Sequence, residues 1–477
     1  MLIQSRAALG VDRGHRPAGR EDDFFPVTIQ FAPRLLWTGA ATVLGLACLL
    51  GGGTIQGLRS DALIQVAGLG LLGLVGWQSN QRSSLPALAW PIAIIAALGV
   101  LIFAQLIWLP PMIWTRLPGR EQIASAYAAA DIALPWLPIS LDPEATWRSV
   151  LSLIPPVAVF LAVPQLPARS RRSLSFILIG FGLVNVLVGL AQLMLGPESP
   201  IYLYPITNEG SSVGFFANRN HYAAFLYSVI PLASAWAIGC LAGLRLRLLW
   251  VAAFLLAGAL LLLGIGMSQS RAGIFLGLLA GLSGFLFISG KGTRTRAVGL
   301  ASIAAMLLIA IVLVIQFGLS GILGRLDTGI AADYRFVFDR ITAKAALAFQ
   351  PVGSGFGTFP AVYKMFEQPQ DLFQAFANHA HNDWLEVWLE GGFVAIALAL
   401  AFLAWLGRAG LALWRDNVDG RRPIDTALGR AGAVTVVLLL LHSAVDYPLR
   451  TTAVMCTFAF ACALMVEPPS PARTRRG

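Results

Sequence analysis

A chain that repeatedly offers about 20 mostly apolar residues in a row has few ways to fold, because an α-helix needs that length to cross a bilayer. In hydrocarbon every backbone N–H and C=O must find a partner inside the structure, which leaves helices and closed barrels. This sequence contains about twelve such runs. They are Leu35–Gly52, Ala62–Gln78, Pro86–Leu109, Ser149–Val163, Ser173–Leu195, Tyr222–Leu244, Leu248–Met267, Gly273–Ile288, Ala297–Leu319, Gly391–Leu406, Ala431–Tyr447 and Thr452–Val466. The fourth holds Pro155-Pro156, so a kinked or partial span is expected there. Charge supports lipid as the solvent: 12% of the 477 residues are charged, against about 25% in soluble domains. A single core at this length does not hide 57% hydrophobic residues. The expected fold is an all-α, polytopic transmembrane bundle.

The net charge of +10 does not indicate nucleic acid, because the basic residues sit in short clusters between apolar runs. Those clusters orient the chain. With the N-terminus in the cytoplasm, Arg169, Arg171 and Arg172 fall inside, as do Arg245 and Arg247. So do Lys291, Arg294 and Arg296, then Arg408, Arg415, Arg421 and Arg422, and finally Arg473, Arg475 and Arg476. This is the positive-inside pattern, with an even number of spans and both termini cytoplasmic. Residues 1–33 read as a cytoplasmic tail without the apolar segment of a signal peptide. Residues 34–319 read as spans 1–9, 320–390 as a helical periplasmic subdomain, 391–466 as spans 10–12, and 467–477 as a second cytoplasmic tail. Two other outside segments are long, 110–148 and 196–221. The four cysteines all lie in apolar runs without CxxC spacing, so neither a zinc site nor a disulfide framework is expected.

Once the chain is oriented, several polar residues stand out. Arg271, in Ser268-Gln269-Ser270-Arg271-Ala272-Gly273, lies in a short outside turn against the charge bias. It reads either as an interfacial arginine snorkelling to lipid or as a fixed cation for an anionic ligand. Arg219, in Asn218-Arg219-Asn220-His221, opens the sixth run on the same face. Asn218 and Asn220 suit helix capping, whereas an arginine there opposes the helix dipole and makes an anion site with it. Asn378-His379-Ala380-His381-Asn382 closes the long outside segment. His381 suits a general base, with capping or packing as the plainer alternative. Metal ligation lacks further ligands at suitable spacing. Trp384, Leu385 and Trp388 follow His381 at i+3, i+4 and i+7 and are expected to share its helical face. The glycine-rich Pro351–Phe359 has no lysine and is no P-loop. It reads as a tight turn or a phosphate contact. Arg335 either pairs with Asp339 or serves as a third phosphate ligand. His442 and Asp446, four apart in the eleventh run, are ionisable groups of the kind that mark function or a structural ion pair in a membrane.

At these residues the sequence resembles the O-antigen ligase/polymerase family of bacterial inner-membrane glycan enzymes. The resemblance rests on Phe216–His221, Ser268–Gly273, Pro351–Phe359, and Ala380-His381-Asn382 leading to Glu390-Gly391-Gly392, and covers about residues 200–450. It implies a GT-C-like bundle and a metal-independent glycosyltransferase without cofactor. The implied donor is an undecaprenyl-pyrophosphate-linked oligosaccharide at the periplasmic leaflet. The acceptor is a glycan hydroxyl, on a second lipid-linked repeat for a polymerase or on lipid A-core for a ligase. A chain-length regulator or flippase would be a partner. By the family pattern Arg219, Arg271 and Arg335 hold pyrophosphate and His381 activates the acceptor. Asn218, Asn220, His221, Asn382, Glu390, His442 and Asp446 support them, and His379 is assigned no catalytic role. A transporter or flippase for an anionic substrate is the alternative, disfavoured by the scarcity of mid-span charges and the lack of an internal repeat.

Overall fold

A computed structural model describes residues 31–55, 57–79, 86–240, 247–284, 304, 308, 334–372, 376–415 and 423–466. Among them the chain is helical, apart from one antiparallel pair of two-residue strands, β1 (Trp108–Leu109) with β2 (Leu137–Pro138). It is an all-α polytopic membrane protein. Among the described residues seven helices have the length and apolarity to cross a bilayer. They are α2 (Arg59–Ser79), α6 (Pro143–Ala162), α7 (Ala168–Leu195), α8 (Arg219–Cys240), α9 (Arg247–Ser268), α13 (Asp383–Arg415) and α14 (Pro423–His442). Shorter apolar helices are α1 (Phe31–Leu50), α3 (Ala89–Gln105), α10 (Arg271–Leu282) and α15 (Thr452–Met465), while α4 (Pro111–Trp114) and α5 (Glu121–Ala129) are short helices between α3 and α6 and are not among the spans. These eleven coincide with eleven of the expected runs. The ninth, Ala297–Leu319, lies outside the described residues but for 304 and 308, as do nearly all of both tails, residues 320–333, and the basic residues 245, 291, 294, 296, 421 and 422.

The fourth run is not a partial span. Helix α6 continues through Pro155 and Pro156. It also starts earlier than hydropathy indicates, at Pro143, where Asp142 caps it by accepting from the Ala145 amide at 3.0 Å. Proline suits that first position because its missing N–H would be unpaired anyway. Within the span, α2 braces the prolines from the side: a Cβ on Gly68 would lie 3.1 Å from Pro155 Cα. Packed neighbours of this kind let membrane helices tolerate proline.

Helix α8 is the central element, buried along nearly its whole length between α9, α10 and α14. At the Asp425 end of the bundle, Arg172 makes two bonds to the Asp425 carboxylate, at 2.7 and 2.6 Å. Arg171 donates to the carbonyls of Pro164, Leu166 and Val466. A helix the length of α14 spans about 30 Å, which puts this ion pair far from His442 and the opposite end. At that opposite end sit α11 (Tyr334–Ala348) and α12 (Phe359–Phe366). With Phe349, Ala380 and Leu389 they build a second, smaller apolar core. Helix α13 joins the two bodies and breaks at Gly392, where φ is +61°. A Cβ there would stand 2.2 Å from the Pro351 carbonyl oxygen. That carbonyl instead accepts from the Phe393 amide at 3.0 Å. The break turns the short segment bearing Asp383, Glu386 and Glu390 relative to the apolar part that follows.

Candidate active site

The site is built around one carboxylate. Helix α14 stops at His442, and the chain turns through Ser443–Tyr447 before α15. Asp446 in this turn is fully buried. Its Oδ1 accepts from His381 Nδ1 at 3.0 Å and from the Tyr447 amide at 3.0 Å. Its Oδ2 accepts from Asn220 Nδ2 at 2.5 Å and faces Arg335 Nη2 at 3.6 Å. Burial alone would raise this carboxyl's pKa. The bond from His381 and the nearby His221 and Arg335 more than reverse that, holding it well below the usual carboxylate range. An ionised carboxylate only accepts hydrogen bonds. Nδ1 of His381 is therefore the nitrogen that donates, so that in the neutral ring the lone pair lies on Nε2.

His381 itself is held in the left-handed region, at φ +54°, where few non-glycine residues sit. Phe338 lies against its ring at 5.8 Å between centroids, and Tyr447 meets it edge-on at 4.8 Å. The shared helical face expected for His381 and the Trp384, Leu385, Trp388 stripe is not formed. Helix α13 starts only at Asp383, with Asn382 as its cap, accepting from the Leu385 amide at 3.2 Å. A capping asparagine ends helical geometry at its own position, so His381 precedes the helix. Trp384 does dock it, through Nε1 to the Leu440 carbonyl at 3.1 Å.

The two arginines singled out in short motifs each open a helix. Arg219 is the first residue of α8 and Arg271 the first of α10. The first turns of these helices touch, since a Cβ on Gly273 would lie 2.4 Å from Ala223 Cβ. Ser270 caps α10 by accepting from the Gly273 amide at 3.1 Å. Asn218 and Asn220 divide the work expected of both. Asn218 serves the helix start, its Oδ1 accepting from the Asn220 amide at 2.8 Å, and its side chain also bonds Tyr447. Asn220 turns its side chain to Asp446 and so ties the start of α8 to His381. His221 hydrogen-bonds Thr451 Oγ1 at 2.7 Å and meets the Tyr447 ring edge-on at 4.7 Å. Arg335, Asn220, Asp446 and His381 are thus in direct contact. Arg219 follows by chain adjacency and Arg271 by helix packing.

His442 does not join them. Its Nδ1 bonds the Tyr227 hydroxyl at 2.9 Å inside the bundle. Only its backbone carbonyl meets Asp446, accepting the amide at 2.9 Å. Glu390 takes over the glycine-rich turn. Its Oε1 accepts from the Gly357 and Phe359 amides at 2.8 and 3.3 Å. Those two amides therefore serve the turn rather than a phosphate. Sequence reasoning missed Arg450, whose Nη2 meets Glu390 Oε2 at 3.0 Å, and Tyr447, whose ring touches His221, His379 and His381. A signal existed for Arg450: Asp383, Glu386 and Glu390 are spaced i, i+3, i+7 on one helical face, and such a buried acidic stripe requires a cation.

Beside this centre runs an apolar cavity of about 750 Å³ between α2, α3, α6, α13 and α15. Leu98, Ile102, Phe160, Phe402 and Phe458 line its length, and Asp383, Ser443, Arg148 and Arg450 stand at its polar end.

Residues 256–400 match the family model described as O-Antigen ligase. The match supports the O-antigen ligase/polymerase family, the resemblance drawn from the motifs. It takes in Arg271, Arg335, His381 and Glu390, while Arg219 and Asp446 lie outside it. No curated protein matches the chain.

Proposed function

We propose that this multi-pass membrane protein, whose residues 256–400 carry the O-antigen ligase match, moves a glycan from undecaprenyl pyrophosphate to an acceptor sugar hydroxyl. The carrying observation is the His381–Asp446 bond at 3.0 Å, with the same carboxylate bound to Asn220 and facing Arg335. A carboxylate that fixes the tautomer and orientation of a histidine is the arrangement by which enzymes make imidazole a general base.

In this reading the acceptor hydroxyl gives its proton to His381 Nε2 as its oxygen forms a bond to the anomeric carbon. The bond from that carbon to the pyrophosphate oxygen breaks, and the electron pair leaves with the lipid pyrophosphate. Arg219, Arg271 and Arg335 take up the growing negative charge, helped by the amide-rich starts of α8 and α10. Fixed donors of this kind are worth about 10²–10³ in rate each. The apolar cavity beside the centre suits the polyprenyl chain. In this reading the chain lies in the inner membrane with the site on the periplasmic side, an orientation that the positive-inside pattern of the loops supports. The acceptor is a second lipid-linked repeat or lipid A-core, and a chain-length regulator or flippase is the expected partner.

The test uses purified protein in lipid with lipid-linked repeat units, with and without lipid A-core. Long lipid-linked chains identify a polymerase, and glycan on the core identifies a ligase. His381→Ala, Arg219→Ala and Arg271→Ala should each abolish product at unchanged protein level. Wild-type product from all three refutes the assignment.

A further inference from the structure

Next to the His381 centre lies a buried ion cluster that the reaction above does not use. Arg450 is its cation. Its Nη2 stands 3.0 Å from Glu390 Oε2 and 3.5 Å from Glu386 Oε1, and its Nε donates to Asp383 Oδ1 at 3.4 Å. The three carboxylates are buried, and each has a second task in a different segment. Glu386 accepts from His379 Nδ1 at 2.8 Å and from the Ala380 amide at 3.0 Å. Glu390 accepts from the amides of Gly357 and Phe359. Asp383 accepts from Ser443 Oγ at 2.8 Å and from the Leu449 amide at 3.4 Å. The Asp383 amide also donates to the Ser443 carbonyl at 2.8 Å. One guanidinium therefore joins the loop that ends in His381, the glycine-rich turn, and the turn that carries Asp446.

The cluster bears on His381 because that residue is held in a left-handed conformation between two anchored neighbours. Ala380 on one side is tied to Glu386, and Asn382 on the other caps α13. Packing alone does not call for ions here, since buried ion clusters are often replaced by apolar groups at no cost in stability. We infer that Arg450 is a positioning residue: through Glu386 it holds His379 and Ala380, and so sets His381 against Asp446 for proton transfer. This rests on reading His381 as the base. Glu386 acts through His381, so its loss slows turnover and leaves donor binding intact; Arg450 also stands at the polar end of the cavity, so donor binding is read from Glu386→Gln.

The experiment compares Glu386→Gln and Arg450→Lys with the wild type in reconstituted membranes, measuring kcat, donor KM and thermal stability. Arg450→Gln is less informative, because it strands three buried carboxylates and threatens the fold. Glu386→Gln keeps the side-chain volume but cannot accept at both oxygens. Misplacing a catalytic group by about 1 Å costs about 10²-fold. The expected result is a kcat lower by about that factor in Glu386→Gln with donor KM within about threefold, and a smaller loss of kcat in Arg450→Lys. Wild-type kcat in Glu386→Gln overturns the inference, as does a loss there that is confined to KM or merely parallels a loss of folded protein. His381→Ala separates the two levels. If it stays active, the function itself is misread. If it is dead while Glu386→Gln is normal, only the role of Arg450 falls.

Discussion

Asp446→Asn tests the centre most directly, because it replaces one oxygen by an NH₂ group and removes one charge in a fully buried place. The carboxylate receives His381 Nδ1 and the Tyr447 amide on one oxygen, and Asn220 Nδ2 with Arg335 on the other. An amide has one acceptor oxygen and one donor nitrogen, so it cannot serve both sides. With its oxygen toward His381, its nitrogen is pressed against Asn220 Nδ2 at the 2.5 Å position. With its oxygen toward Asn220, its nitrogen faces His381 Nδ1 and forces the imidazole proton onto Nε2. The ring then has no lone pair for the acceptor hydroxyl. In a serine–histidine–aspartate site the same change lowers kcat by about 10⁴, roughly 5 kcal/mol of barrier. The expectation here is a fall in kcat of at least about 10²-fold, with a smaller change in donor KM, because Arg219 and Arg271 keep their surroundings and only Arg335 loses its charge partner. The assay is multiple-turnover glycan transfer by reconstituted protein at saturating donor and acceptor. A kcat within threefold of wild type would refute the reasoning, since it would mean that His381 needs neither the charge nor the tautomer.

Further outcomes follow from other parts of the structure. Arg271→Lys and Arg219→Lys keep the charge but lose the planar fork, and each should cost about tenfold or more in kcat/KM, with the loss largest for the donor. The Gly392→Ala variant places a methyl at 2.2 Å from the Pro351 oxygen at positive φ, and a thermal melt should show more than about 2 kcal/mol of destabilisation. Arg172→Met strands Asp425 at the far end of the bundle, which should cost about 3 kcal/mol while activity per folded molecule stays normal. The depressed Asp446 carboxyl contributes stability above the unfolded carboxyl value of about 3.9, and this is lost as pH falls toward its lower folded value. The gap in melting temperature between wild type and Asp446→Asn should hold from pH 7 to 5 and close below about pH 4.

The spans were legible in the sequence because lipid imposes a length and an apolarity that any reader can count. The same holds for the polar residues that break the pattern. Arg219, Arg271, His381 and Asp446 stand out because a charge near apolar runs is costly and needs a reason. What the sequence did not contain was which of them touch. His442 and Asp446, four apart, fall on one face of a continuous helix, yet one faces Tyr227 and the other His381, because the helix ends at His442 and the chain turns. His381 looked helical from its spacing to Trp384, yet the Asn382 cap puts it outside the helix. Arg450 drew no notice as a single basic residue near a span end. Only the break at Gly392 and the turn after α14 bring it to Asp383, Glu386 and Glu390. Local patterns are written in the order of residues. Contacts between residues 60 to 226 positions apart, such as Arg450 with Glu390 or Asn220 with Asp446, depend on how helices pack, and only the tertiary structure decides those.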